Sequence, residues 1–154
     1  MRTIVVAVAI ATCGLVALSG ETPPPAVFTA AQAAAGRVSY ESSCAKCHTA
    51  TLVGRDGTGD IPDFLQPYQG MIPPLAGANA AYPPFLTTWG ARTTQDLASR
   101  IKIAIGGFPP KDLDAQTYLN LTAYVLQVNG ARPGDQPLTK TTAVEIRAVT
   151  TPAK

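Results

Sequence analysis

The apolar positions open with an uncharged run from Thr3 to Leu18, directly after Arg2. Small residues close the run, and Ala17-Leu18-Ser19 fits an export-signal cleavage pattern. Sixteen residues are short for a bilayer span, so residues 1–19 read as a cleaved signal, with an uncleaved N-terminal anchor as the alternative. Cys13 matches a lipid-attachment cysteine poorly, because Thr12 precedes it. Residues 20–27, with Pro23, Pro24 and Pro25, read as an extended linker. Helical pattern begins at Thr29, where Thr29-Ala30-Ala31-Gln32 has the form of a capping box before an Ala-rich stretch. Ala33, Val38, Tyr40 and Ala45 are its expected apolar face. Residues 49–88 show no period, because glycines and prolines interrupt every candidate element. A second helix is predicted from Thr94 to Ile105, capped by Thr93 or Thr94, with Leu97, Ile101, Ala104 and Ile105 on one face. A third is predicted from Asp114 to Asn129, buried through Tyr118, Leu121, Val125 and Val128 and stopped at Asn129-Gly130. Residues 131–154 read as a polar, Thr-rich tail, in which Val144, Ile146 and Ala148 alternate like one short strand.

The length of 154 residues suits one domain with short extensions, placed at residues 28–130. Only 14% of residues are charged, and the formal charge is +2, too small for a nucleic-acid-binding surface. Loss of residues 1–19 removes Arg2 and leaves 11 basic against 10 acidic groups. Such a surface gives little electrostatic steering towards any partner.

The chemistry sits in Cys44-Ala45-Lys46-Cys47-His48, a C-x-x-C-H pattern. Two thiols on one helical turn reach one edge of a macrocycle and add across its vinyl groups, and the adjacent imidazole meets the iron. A structural zinc site needs about four ligands, and the chain after the signal has two Cys and one His. A dithiol redox pair needs a strand–helix–strand context that the pattern lacks, and a plain disulfide leaves His48 idle. The motif therefore predicts one covalently bound haem c, in keeping with an exported chain. A group of that size also gives the long aperiodic stretch something to organise around.

With these residues in place, the chain resembles the class I mono-haem cytochromes c. It looks most like the cytochrome c modules that accompany quinoprotein and alcohol dehydrogenases in bacterial periplasms. The resemblance covers about residues 28–138 and rests on several segments. They are the helix entering C-x-x-C-H, Ile72-Pro73-Pro74-Leu75-Ala76-Gly77, Phe85-Leu86 before Trp89-Gly90, a Pro-Pro loop, and a last helix ending at Gly130. It implies an all-α cytochrome c fold, with three to four helices around one covalent haem and long Pro/Gly-rich loops. It also implies that the Pro73 carbonyl orients His48, that Leu75 and Pro109 contact the haem, and that Trp89 hydrogen-bonds a propionate. The same resemblance implies an electron carrier in the periplasm rather than an enzyme. Its partner would be a dehydrogenase or a respiratory complex, with contact to the membrane only if the N-terminal segment stays uncleaved.

The sequence leaves the family pattern at one position. Relatives carry Met-Pro-Pro before the last helix, whereas this chain reads Gly106-Gly107-Phe108-Pro109-Pro110. Phenylalanine cannot ligate iron, and the chain has a single His. Met71 and Lys111 are weak candidates for the sixth position, so the expectation is an open or water-filled site beneath Phe108. Loss of the Met lowers the haem potential and admits small ligands, which makes a five-coordinate ligand-binding or sensing protein the alternative function. Phe108, Pro109 and Pro110 offer no acid–base group for peroxidase chemistry. Asp56-Gly57-Thr58-Gly59-Asp60 resembles part of a calcium loop but lacks its terminal Glu. Phe64 and Tyr68 are instead expected to cover the haem or form a docking patch.

Overall fold

The structure, a computed structural model, describes residues 24–105 and 113–150. The N-terminal run and the distal candidates Phe108, Pro109, Pro110 and Lys111 lie outside the described residues.

Helix α1 (Ala30–Ser43) begins where the capping box places it. The Thr29 hydroxyl accepts the Gln32 N–H at 3.2 Å, and the Gln32 side chain accepts the Thr29 N–H at 3.3 Å. Its buried face is Gln32, Ala33, Gly36 and Tyr40, whereas Val38 is 63% exposed. At 100° per residue, positions 33, 36 and 40 share a side and position 38 is turned away. The helix α5 (Ala115–Val128) is capped by Asp114, which accepts the Thr117 N–H at 2.9 Å. It buries Tyr118, Leu121, Ala123, Val125 and Leu126, and leaves Val128 exposed in its last turn.

The two helices cross at Gly36. A β-carbon there would overlap the Asn120 carbonyl and lie 2.9 Å from the Tyr124 β-carbon. One helical turn on, the Tyr40 and Tyr124 rings meet at 5.4 Å. The helix α4 (Thr94–Ile105) lies against α5 with Leu97 and Ile101 buried. Thr93 caps it by exchange with Asp96: the Asp96 N–H donates to the Thr93 hydroxyl, and the Thr93 N–H donates to the Asp96 carboxylate.

Short elements follow α1 and run through the aperiodic stretch. They are α2 (Ala45–His48), β1 (Arg55–Asp56), a 3-10 helix (Asp63–Tyr68), β2 (Met71–Ile72) and α3 (Phe85–Trp89). Strands β1 and β2 pair antiparallel, Arg55 opposite Ile72 and Asp56 opposite Met71. The expected strand in the tail is absent, and Ile146–Val149 forms a helical turn, α6. Residues 146 and 149 are three apart and both buried, so a helix points both inward where alternating β geometry would not. With Leu138 they extend the core beyond α5. Gln32 fastens this return of the chain, donating to the Leu138 carbonyl at 2.9 Å and accepting its N–H at 2.7 Å. No helix among the described residues is long and apolar enough to cross a membrane.

Candidate functional site

Helix α1 ends at Ser43, and the chain re-enters helix at once, with Cys44 as the N-cap of α2 and His48 as its last residue. The junction at Cys44 is held by its N–H on the Tyr40 carbonyl at 2.8 Å and by the His48 N–H on the Cys44 carbonyl at 2.9 Å. Cys44, Cys47 and His48 therefore share one tight turn and are each half-buried, and both thiols are free. Burial, followed by the neighbouring Cys47, pushes the Cys44 thiol up to about 11. At neutral pH it is present as the thiol.

The His48 Nδ1 lies 2.9 Å from the Pro73 carbonyl oxygen. A carbonyl can only accept, so Nδ1 carries the proton and Nε2 keeps its lone pair. Burial pushes the His48 imidazole down from its ordinary value, against the opposing pull of the Pro73 carbonyl. The neutral ring is the form that ligates a metal. Two free thiols and one oriented imidazole on a single turn fit the attachment of a covalent haem c at its two vinyl groups and its iron.

The segment after His48 is held in strained conformations. Thr49 has φ 67° and ψ 163°, a region almost confined to glycine, and Leu52 has φ 63°. Hydrogen bonds to each residue maintain them. The Tyr40 hydroxyl donates to the Thr49 carbonyl at 2.6 Å, and the Leu75 and Ala76 N–H groups both donate to the Leu52 carbonyl, at 2.8 and 3.1 Å. Burial above all, then Cys44, Tyr124 and Cys47, raises the Tyr40 phenol far above its usual range, so it remains a donor. Asn129 of the α5 C-cap donates to the Leu75 carbonyl at 2.8 Å, and Asn79 donates to the Val53 carbonyl at 2.8 Å. The segment bearing Pro73 and Leu75 is thus tied both to the turn at residues 44–48 and to α5.

Sequence reasoning treated Asn129 as a helix stop and passed over Tyr40 and Asn79 as site-building residues. The Asn129–Gly130 stop was the only visible signal, because the partner of Asn129 lies 54 residues away. Leu75 is half-buried against the core. Met71 is 36% exposed in β2, two residues from the carbonyl that engages Nδ1. Phe64, expected near the haem, lies beneath the Lys46 ammonium at 4.2 Å, beside the C-x-x-C-H turn. Asp56 of the calcium-like stretch uses its Oδ1 to accept both the N–H and the hydroxyl of Thr58.

Trp89 stands apart from the C-x-x-C-H turn in sequence. Its ring stacks on Phe85 with centroids 6.2 Å apart, and the Arg92 guanidinium lies 5.1 Å from its centroid. Its indole N–H has no acceptor among the described residues, although the ring is half-buried.

Residues 31–125 match the family model described as cytochrome C oxidase, cbb3-type, subunit III. No curated protein and no solved structure matches the chain.

Proposed function

The chain belongs to the family described as cytochrome C oxidase, cbb3-type, subunit III, and from that membership we propose an exported electron carrier that serves a respiratory partner. Membership makes it a class I c-type cytochrome with the all-α cytochrome c fold: an electron-transfer haem protein whose haem c is covalently attached. The group supplies a one-electron iron couple, and the protein sets its potential and access.

The observation that carries the site assignment is the His48 Nδ1–Pro73 carbonyl contact at 2.9 Å, beside two free cysteines on one turn. We assign Cys44 and Cys47 to the thioether bonds and His48 Nε2 to the iron. The Pro73 carbonyl fixes the His48 tautomer and raises its basicity. Leu75 supports the same side, and the Trp89 N–H is assigned to a propionate.

As the sixth ligand of the iron we assign no protein residue, because Phe108-Pro109-Pro110 stands where relatives carry Met-Pro-Pro and phenylalanine cannot ligate. The position of Met71 supports this, because it sits in the segment that engages Nδ1, whereas the iron belongs to Nε2. The family description names an oxidase subunit, which favours a respiratory complex over a dehydrogenase as partner. The uncharged run at Thr3–Leu18 supports export to the periplasm. The second reading, a five-coordinate haem that binds a small ligand, is favoured by Phe108 alone.

Optical and electron-paramagnetic-resonance spectra of the purified holoprotein, with and without carbon monoxide, test the axial assignment. A high-spin ferric signal with ready carbon monoxide binding after reduction is the expected result. A low-spin signal that resists carbon monoxide would overturn the open site and return Met71 or Lys111 as ligand. Co-purification with a terminal oxidase, and reoxidation of the reduced protein by it, test the partner, and a failure of the oxidase to reoxidise the protein would refute it.

A further inference from the structure

Pro73 is exposed, and its carbonyl meets His48 Nδ1 across 25 positions of chain. A short contact between segments so far apart requires something that fixes their separation. The Gly54 N–H donates to the His48 carbonyl at 3.0 Å, which lays the backbone of residue 54 against the C-x-x-C-H turn. On its other side Gly54 meets the Pro73 segment. A β-carbon there would overlap the Ile72 carbonyl oxygen and lie 2.8 Å from the Pro73 carbonyl oxygen, and φ is +69°. Gly54 is therefore a spacer one backbone thick between His48 and Pro73, a place that glycine alone fits.

A glycine has no side chain with which to hold its neighbours, and strands β1 and β2 pair over only two residues each. Asn79 supplies the hold. Its Nδ2 donates to the Val53 carbonyl at 2.8 Å, the Ile72 carbonyl at 3.3 Å and the Arg55 carbonyl at 3.4 Å. These carbonyls belong to the two residues that flank Gly54 and to the residue before Pro73. The Asn79 Oδ1 accepts the Ala81 and Tyr82 N–H groups, each at 3.0 Å, so the amide is anchored in its own turn.

We propose that Asn79 is a positioning residue for the iron ligand. Its amide clamps residues 53–55 to Ile72 and so sets the distance at which the Pro73 carbonyl receives the His48 Nδ1–H. The proposal rests on the reading of His48 as axial ligand. A firm bond from Nδ1–H to a carbonyl makes the imidazole a stronger donor and favours ferric iron. Loss of the clamp lets the Pro73 carbonyl move away, weakens that bond and raises the midpoint potential.

The test is spectroelectrochemistry and proton NMR on the isolated holoprotein, comparing the parent with Asn79→Ala and Asn79→Ser. A serine hydroxyl still accepts the N–H two residues on but is too short to reach Val53, so it separates the clamp from the turn. Neither substitution changes charge, so no new field at the iron contributes to a shift. Both variants should raise the potential and speed exchange of the His48 Nδ1 proton about tenfold, as for one weakened hydrogen bond. Gln32→Leu breaks another amide clamp, at Leu138, and should lower the melting temperature without moving either readout. An equal rise in Gln32→Leu would mean general loosening, and a rise in Asn79→Ala without one in Asn79→Ser would mean that only the turn matters; either overturns the proposal. The parent alone supplies a check if a variant does not take up haem: its Asn79 amide protons should exchange slowly, and free exchange overturns the clamp. If the parent lacks hyperfine-shifted ring protons from His48, the axial reading fails and the proposal with it. If it shows them and neither Asn79 variant moves the potential, the proposal alone fails.

Discussion

Thr49, the residue after the iron-ligating candidate His48, has φ 67° and ψ 163°. A β-branched residue in this region costs on the order of 1–3 kcal/mol, because its β-carbon meets its own backbone. Replacement by glycine removes that strain. It also frees the unfolded chain, at a cost of about 0.5–1 kcal/mol, and loses the exposed contact of the Thr49 and Thr51 hydroxyls. The bond that holds the turn, from the Tyr40 hydroxyl to the Thr49 carbonyl at 2.6 Å, uses the backbone and survives the substitution. Thr49→Gly should therefore stabilise the holoprotein by on the order of 1 kcal/mol, roughly 4 °C in melting temperature for a domain of this size. Thr49→Ala keeps the β-carbon and should bring no such gain. Urea unfolding followed by the haem Soret band measures both variants, and an unchanged ferrous spectrum verifies that His48 still ligates. Destabilisation by glycine, or an equal gain from alanine, would refute the account of strain after the C-x-x-C-H turn.

Other expectations follow from the packing and the charges. Gly36→Ala gains about 1 kcal/mol of helix propensity but drives a methyl group into the Asn120 carbonyl, so a net loss of about 2 kcal/mol in denaturant unfolding is expected; unchanged stability would mean that α1 and α5 do not cross there. Gln32→Leu strips the Leu138 N–H and carbonyl of their partner at about 1–3 kcal/mol each, and amide exchange at Leu138 should accelerate by more than tenfold. Hydrogen bonds from Thr58, Thr93 and Thr117 lower the carboxyls of Asp56, Asp96 and Asp114 respectively. Each contributes stability above the unfolded value of about 3.9 and loses it as pH falls through the lower folded value. Acid unfolding should therefore steepen below about pH 4, and the double variant Asp96→Asn, Asp114→Asn should flatten that limb; an unaltered limb would show that these caps do not titrate with folding.

Where the determining interactions are local, sequence and structure agree residue by residue. Thr29 and Gln32 cap α1 within three positions, and the Thr94–Ile105 bounds follow from Thr93 and Asp96 together with the spacing of Leu97 and Ile101. The C-x-x-C-H spacing is local too, and Cys44, Cys47 and His48 do share one turn. Legibility failed at Val38, where a buried face was expected from an apolar residue. The actual face contains Gln32 and Gly36, whose burial depends on the partners Leu138 and Asn120. It failed again at Ile146, where alternation over five residues imitated a strand.

The sequence by itself determined the helices with their caps, the C-x-x-C-H pattern and the Phe at position 108, since each depends on neighbours within one or two turns. Only the tertiary structure decided how the turn is used and braced. The 2.9 Å bond from His48 to Pro73 spans 25 residues, and the clamp of Asn129 on Leu75 spans 54. The return of the chain that brings the Arg147 N–H to the Gly90 carbonyl spans more than half a hundred positions. Backbone carbonyls and N–H groups make most of these contacts, and every residue type carries them. Their pairing is therefore settled by the path of the folded chain, which residue identity does not record.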